Sequence, residues 1–156
     1  LGLKKITQGY KSFSGSLERE FISDGKYKFL PLICYEIIYT GKLNKKSKEF
    51  DYIVNISEDG WFGNSIGPEQ HFSHSLFRAI EEGKNLYRSS NNGISAHINP
   101  VGKIENKIKS TQSGVIEVKN VKFIKETIFS KQGNKIFFYF LLIYITFASL
   151  LKRKDL

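Results

Sequence analysis

The chain predicts an α/β domain of layered strands and helices, followed by one membrane-spanning helix. Three observations predict it. Short apolar stretches rich in β-branched residues (KYKFLPLI, DYIVNIS, NLYRSS) recur through the first two thirds of the sequence. One helix-period segment lies between the second and third of them, an order that suggests an α/β sandwich. Residues 136–151, IFFYFLLIYITFASLL, contain no charge at all.

The elements follow in order. GYKSFSGS (9–16) is Gly/Ser-rich and reads as a loop. KYKFLPLI (26–33) alternates and then turns apolar, so it predicts a strand entering the core. Pro31 has no N–H to give to a ladder and predicts an edge or a bulge there. DYIVNIS (51–57) predicts a second short strand, and EDGWFGNSIGP (58–68), with three glycines and a proline, a loop. From Glu69 the period changes. Phe72, Leu76, Ala79 and Ile80 fall on one helical stripe. Pro68 suits the first turn, Glu69 the positive end, and Gly83 the stop. NLYRSS (85–90) and GISAHI (93–98) predict strands separated by Asn91 and Asn92. NPVG (99–102) predicts a turn leading to KIENKI, and GVIEVKNV (114–121) a further strand. There is no internal repeat.

Sixteen helical residues rise about 24 Å, short of the ~30 Å hydrocarbon core. Lys135 and Lys152 can snorkel, and Gly133 and Asn134 can extend the helix at the interface. Every face is apolar, whereas a surface helix shows a polar stripe. The cluster Lys152, Arg153, Lys154 predicts a cytoplasmic tail, although Lys125, Lys131 and Lys135 add positive charge on the other flank. The expected division is an α/β part over 1–128, a linker over 129–135, a span over 136–151 and a basic tail over 152–156.

The 156 residues suffice for one domain, and a formal net charge of +9 suits nucleic acid or an anionic membrane surface. The lysines do not group with aromatics into a platform, and no nucleic-acid motif is present. One cysteine forms no internal disulfide, and no zinc spacing exists. The chain opens on Leu1 and contains no methionine, which suggests processing or a fragment.

Cys34 ends the apolar strand FLPLI and precedes YEIIY. A thiol there can be presented at a sharp turn on the rim where α/β active sites gather, or it can be an inert core residue. A working thiolate needs a base or a nearby cation. Glu36 would share the face of Cys34 in a strand, or orient a neighbour in a turn. Charged and close, it would raise the thiol pKa, so it is not the activating group alone. His71 and His74 stand three apart and could share a metal, but no third ligand is nominated. His97 reads as structural. NNG (91–93) reads as a hairpin turn, and WFGNSIG as a loop packed by its own aromatics. GNSIG lacks the spacing and the Lys–Ser/Thr ending of a phosphate loop. Arg78 and Glu81 can pair across one helical turn, worth a few tenths of a kcal/mol (about 0.3) if exposed.

Four stretches in this order, PLICYEIIY, NISEDGWFGNSIGPEQH, RAIEEGKNLYRSSNNGI and the terminal hydrophobic segment, closely resemble the apolipoprotein N-acyltransferase family. These are bacterial inner-membrane enzymes carrying a nitrilase-like (CN hydrolase) domain, and the resemblance runs from about residue 8 to the C-terminus. It implies part of a four-layer αββα sandwich on the periplasmic side. It implies a Glu–Lys–Cys triad that takes an acyl chain from a phospholipid as a cysteine thioester. The N-terminal amine of a diacylglyceryl-cysteine lipoprotein then receives the chain. It implies no cofactor and no metal. By this resemblance Cys34 is the nucleophile and Glu36 its supporting glutamate. Trp61, Phe62 and Gly63 shape the acyl pocket, and Gln70, His71, Arg78, Glu81, Arg88, Asn91, Asn92 and Gly93 hold the scaffold.

The chain also departs from the family pattern. The triad Glu and Lys fall upstream of Cys34 in the family, and the 33 residues before it here match neither motif. Glu18, Glu20, Lys26 and Lys28 are not substitutes. Glu58 stands where the family has Asn and could repel a thiolate or simply face water. The expectation is therefore the C-terminal portion of such an enzyme, inactive alone and leaving sheet surface uncovered without its other portion. The competing expectations are a nitrilase-type amidase and a non-catalytic membrane-anchored module.

Overall fold

The structure, a computed structural model, describes residues 20–41, 43, 50–119 and 121–154. The loop expected at 9–16, Glu18 and the last two residues of the tail lie outside that set. The described chain forms one mixed sheet in the order β1 (Ile22–Ser23), β2 (Lys28–Ile33), β3 (Tyr52–Glu58), β4 (Asn85–Asn91), β5 (Ser95–Ile98), β6 (Ile104–Ile108). β2, β3 and β4 run parallel; the flanking pairs are antiparallel. The connection from β3 to β4 is α1 (Gly67–Glu82), the crossover helix that a parallel pair requires. The three parallel strands end on a common rim, at Ile33, Glu58 and Asn91.

Alternation along the strands decides which side chains enter the core. Leu30 and Leu32, Ile53, Leu86, Ala96 and Ile98 point to one face and are buried with Phe72 and Ala79 of α1. Pro31 fits because β1 pairs only with Lys28 and Phe29, so its neighbour has ended before the missing N–H matters. Gly83 adopts φ +63° and closes α1 with its N–H on the Ala79 and Ile80 carbonyls, as its position predicts. The helical stripe needs one correction. Ile80 is 47% exposed, and the buried face of α1 instead includes His71, Ser75, Arg78 and Glu82. Polar groups near the rim, rather than hydrophobicity alone, set the rotation of this helix.

The opposite face of the sheet carries Phe29, Tyr52, Tyr87 and His97, whose rings touch in succession at 5.0–5.4 Å. Toward the rim it is bare: Ile33 is 63% and Ile56 52% exposed. No described element covers these two, so one face of the sheet lacks the layer that a sandwich supplies.

The strand expected at 114–121 is absent among the described residues. The alternation is present, but the segment pairs with no strand and Val115 is 95% exposed. Strand propensity expresses a fit to a half-buried surface, and this stretch meets none. The segment expected as a linker holds a short helix, α2 (Ile128–Gln132), capped by the Thr127 hydroxyl on the Ser130 N–H. Gly133 ends α2 at φ +54° rather than extending the last helix. That helix, α3 (Lys135–Lys154), has 20 residues and so rises about 30 Å, the thickness of a hydrocarbon core. By length and composition it is able to cross a membrane, and none of the residues of its candidate span, Lys135–Lys152, is buried.

α2 docks on the end of α1. Thr127 donates to the Glu81 carbonyl, and Ser130 donates to Glu82 Oε2 at 2.8 Å. Burial pushes the Glu82 carboxyl above its ordinary value, with the Ser130 bond opposing in part. The folded state therefore binds this proton more tightly than the unfolded chain does. Ionising Glu82 costs folded stability, fully so above the raised value and not at all below the ordinary 4.5. Glu82→Gln, which keeps an acceptor for Ser130, is expected to raise the melting temperature at neutral pH. The gain should shrink to nothing as pH falls toward 4.5 in melts followed by circular dichroism.

Candidate active site

At the end of β2 the chain breaks sharply into a 3-10 turn, Cys34–Ile38, and Cys34 takes φ +49°. A non-glycine residue held there stores roughly 1–3 kcal/mol of strain, which persists only where the surroundings over-determine it. They do. The Glu36 carboxylate reaches back to the Ile33 N–H at 2.7 Å. Asn55 Nδ2 donates to the carbonyls of Leu32 at 3.0 Å and Cys34 at 3.4 Å. Arg78 Nη1 donates to the carbonyls of Ile38 at 3.0 Å and Ile37 at 3.4 Å, and the Ile37 side chain is anchored in the core. Cys34 is half-buried. Its sulfur lies 3.7 Å from Ser57 Oγ and 4.0 Å from the Glu58 carbonyl oxygen. Glu36 is thus not aligned with Cys34 along a strand; both belong to one tight turn, and the glutamate closes it.

Behind the turn lies a buried polar cluster centred on Asp59. Arg88 Nη2 donates to its two oxygens at 2.8 and 3.1 Å, Ser57 Oγ donates at 2.8 Å, and His71 Nδ1 lies 2.8 Å away. Arg88 also holds Asn55 Oδ1 and, at 3.2 Å, the Ile94 carbonyl. Burial pushes the Asp59 carboxyl up, but the Ser57 bond, the Arg88 charge and the His71 bond together leave it below its ordinary value. Burial pulls the Arg88 guanidinium down while Asp59 opposes it, and a guanidinium stays charged throughout. With its Nδ1 facing a carboxylate, His71 carries the proton there, and its buried Nε2 has no hydrogen-bond partner among the described residues.

Several residues singled out in the sequence fall into this arrangement, with corrections. Arg78 and Glu81 pair at 2.7 Å, but the pair is not an exposed helical one; Arg78 is buried and braces the cysteine turn. Glu58 neither presents its carboxylate to the sulfur nor leaves it idle in water. Asn91 and the Gly60 N–H hold it and lower its pKa, so only its carbonyl faces Cys34. Asn91 ends β4, paired with Glu58, and Asn92, at φ +57°, opens the turn to β5. Gly93 follows because a Cβ there would overlap Asp59 Oδ2 and Ser90 Oγ. Phe62 packs against Gly67 and lies 5.7 Å from the His71 ring, and Gly63 takes φ +53°. Trp61, expected in a pocket, is 82% exposed, and Gln70 is exposed too. His71 and His74 join no group of three metal-ligating residues among the described residues. His97 is buried on Asn85.

Asp59, Ser57 and Asn55 were not nominated by the sequence. Asp59 stands in the run EDG, which reads as a solvated loop. The available signal was strand register: Asn55 and Ser57 share the core-facing side of β3 with Ile53, where a polar residue needs a buried partner.

A strained cysteine turn at the rim of a parallel sheet, backed by buried polar supports, is an arrangement that can present a thiol from an α/β domain. The chain belongs to the carbon-nitrogen hydrolase family, whose model matches residues 10–121. Among curated relatives, the apolipoprotein N-acyltransferase of Rickettsia typhi is 41% identical over 138 residues, covering 86% of this chain and 27% of its own. That of Rickettsia bellii is 36% identical over 157 residues, covering 96% and 32%. The chain thus spans about a third or less of the relatives it matches. Among solved structures, the fold is similar to a CN-hydrolase superfamily protein of Xanthomonas campestris, with a TM-score of 0.52 and 15% identity, over 65% of this chain and 43% of that one.

Two substitutions probe the cluster. Gly93→Ala is expected to displace Asp59 and cost about 1–3 kcal/mol. Arg88→Met leaves a buried carboxylate unpaired and should cost about 3–5 kcal/mol, much of it recovered when Asp59→Asn is added. Chemical denaturation followed by circular dichroism reads both.

Proposed function

We propose that this chain is the nucleophile-bearing C-terminal part of a membrane acyltransferase. Cys34 accepts a fatty acyl chain from a phospholipid and passes it to the N-terminal amine of a diacylglyceryl-cysteine lipoprotein. The observation that supports this most is the 41% identity to the Rickettsia typhi acyltransferase over a stretch long enough to include Cys34. The apolar helix α3 agrees with a lipid donor and a membrane-linked location. In this reading α3 spans the inner membrane, its basic end is cytoplasmic, and the α/β part faces the periplasm.

The chemistry divides into two displacements. The Cys34 thiolate attacks the ester carbonyl of the phospholipid; the C–O bond breaks, and the lysophospholipid alcohol leaves with a proton. The acceptor amine then attacks the thioester carbonyl, the C–S bond breaks, and the thiolate returns as the amide forms. Both steps need a general base and a cation at the oxyanion. The carboxylates nearest Cys34 are engaged elsewhere: Glu36 on Ile33, Glu58 on Gly60 and Asn91, Asp59 on Arg88. The proposal therefore places the base and the oxyanion lysine in the remainder of the full-length protein. That remainder would also cover the bare sheet face at Ile33 and Ile56 with a second sheet.

The test uses the chain in phospholipid vesicles, with and without the preceding portion of the Rickettsia typhi relative. With it, intact mass spectrometry should find an acyl adduct on Cys34 that moves to a diacylglyceryl lipopeptide. Cys34→Ala should abolish the adduct. The chain alone should turn over slower by at least about 10⁴-fold, since base and oxyanion stabiliser each contribute about 10²-fold or more. Hydrolysis of a soluble amide in place of acyl transfer would make it an amidase. Absence of any adduct in the assembled protein would leave it a non-catalytic module.

A further inference from the structure

We propose that Ser57 is a positioning residue for the Cys34 thiolate, its hydroxyl switching between two acceptors. Ser57 Oγ lies between Asp59 Oδ1, at 2.8 Å, and Cys34 Sγ, at 3.7 Å. A hydroxyl has one proton and so satisfies one of these acceptors at a time. At rest the shorter bond holds that proton on the carboxylate. The neutral thiol then needs no donor, and its own proton has the Glu58 carbonyl to face. When the thiol ionises, rotation of the Ser57 hydroxyl delivers a donor to the sulfur. Release by Asp59 is inexpensive, because both of its oxygens remain held by Arg88 and one by His71.

The fold prepares this exchange. Ser57 sits near the end of β3 and pairs with Ser90 across to β4, so its backbone is fixed by the sheet. Asn55, two residues earlier on the same side, fixes the Cys34 carbonyl, so neither partner in the Ser57–Cys34 contact drifts. Other charged groups also face the sulfur or its supports: Glu36 from its own turn, Glu58 and Asp59 from the end of β3, Arg88 from β4 and His71 from α1. Substitution of Ser57 takes one donor from Asp59, which keeps Arg88 and His71, and touches none of the others directly. The inference rests on Cys34 acting as a thiolate, but its test reads neither acyl transfer nor the distant base.

Cys34 is the sole cysteine of the chain, so alkylation by iodoacetamide reports on it alone. Rates are measured against pH on the full chain in vesicles for the native protein, Ser57→Ala, Ser57→Thr, Ser57→Val and, as control, Ser73→Ala on the exposed side of α1. Removing the hydroxyl (Ala, Val) is expected to slow alkylation about tenfold at neutral pH and to move the rate curve about one pH unit upward, as loss of a charge-assisted bond should. Threonine should restore it, and the control should match the native protein. Should alanine fail to fold, threonine against valine carries the same comparison at equal volume. Equal curves with and without the hydroxyl overturn the inference, as does a valine chain that alkylates like threonine. Neither result bears on whether Cys34 carries acyl groups, which the mass measurement decides.

Discussion

An ionised aspartate shut away from water must be met by a cation and by enough donors to fill its lone pairs. Asp59 meets that condition through Arg88, His71 and Ser57, and the requirement propagates outward. Arg88 must leave β4 on the core-facing side and also reach Asn55, which sets the register between β3 and β4. His71 must face the sheet, which sets the rotation of α1 and turns Ile80 toward solvent. The hairpin after β4 must pass so close that only glycine fits at 93. Strand register, helix rotation and turn sequence thus answer to one buried carboxylate.

The same cluster supports the cysteine turn. A residue at φ +49° relaxes unless its neighbours forbid it. Here the restraints come from three elements: Glu36 within the turn, Asn55 from β3 and Arg78 from α1. Two of those three are tied to the cluster or to its helix. Arg78 in turn shares Glu81 with Thr40 just past the turn, and Thr127 ahead of α2 binds the Glu81 carbonyl. A contiguous path of hydrogen bonds therefore joins the cysteine turn to the segment from which α3 departs. The start of the apolar helix α3 and the cysteine turn are both tied to α1.

What was legible in the sequence follows from which interactions are local. The strands at 52–58 and 85–91, the helix closed by Gly83 and the turn after Asn99 all announce themselves by period and by Gly, Pro or Asn chemistry. The sharp exposed turn at Cys34 was one of two readings, because an apolar run before a lone cysteine suits a core thiol equally. The polar cluster was not legible. Asp59 gains its meaning from Arg88, 29 residues on, and nothing in EDG distinguishes a buried acid from a solvated one. The expected strand at 114–121 failed for the converse reason: its alternation is local, but a strand exists only against a partner, and none of the described strands receives it.

The distribution of charge around the sulfur bears on what its neighbours are able to do. Each carboxylate near Cys34 holds a backbone N–H, an amide or a guanidinium, and freeing Glu36 would loosen the turn that carries the thiol. Arg88, the cation nearest the cluster, is bound to both oxygens of Asp59 and cannot also meet an oxyanion. Among the described residues, the charged groups around Cys34 are therefore committed to partners that hold the turn and the cluster. The bare sheet face at Ile33 and Ile56 lies on the strands that bear Cys34 and Glu58 at their ends, so whatever covers it also arrives beside the sulfur. Under the function proposed above, covering this apolar face and supplying a base and a cation would be one event, and reactivity would follow completion of the fold.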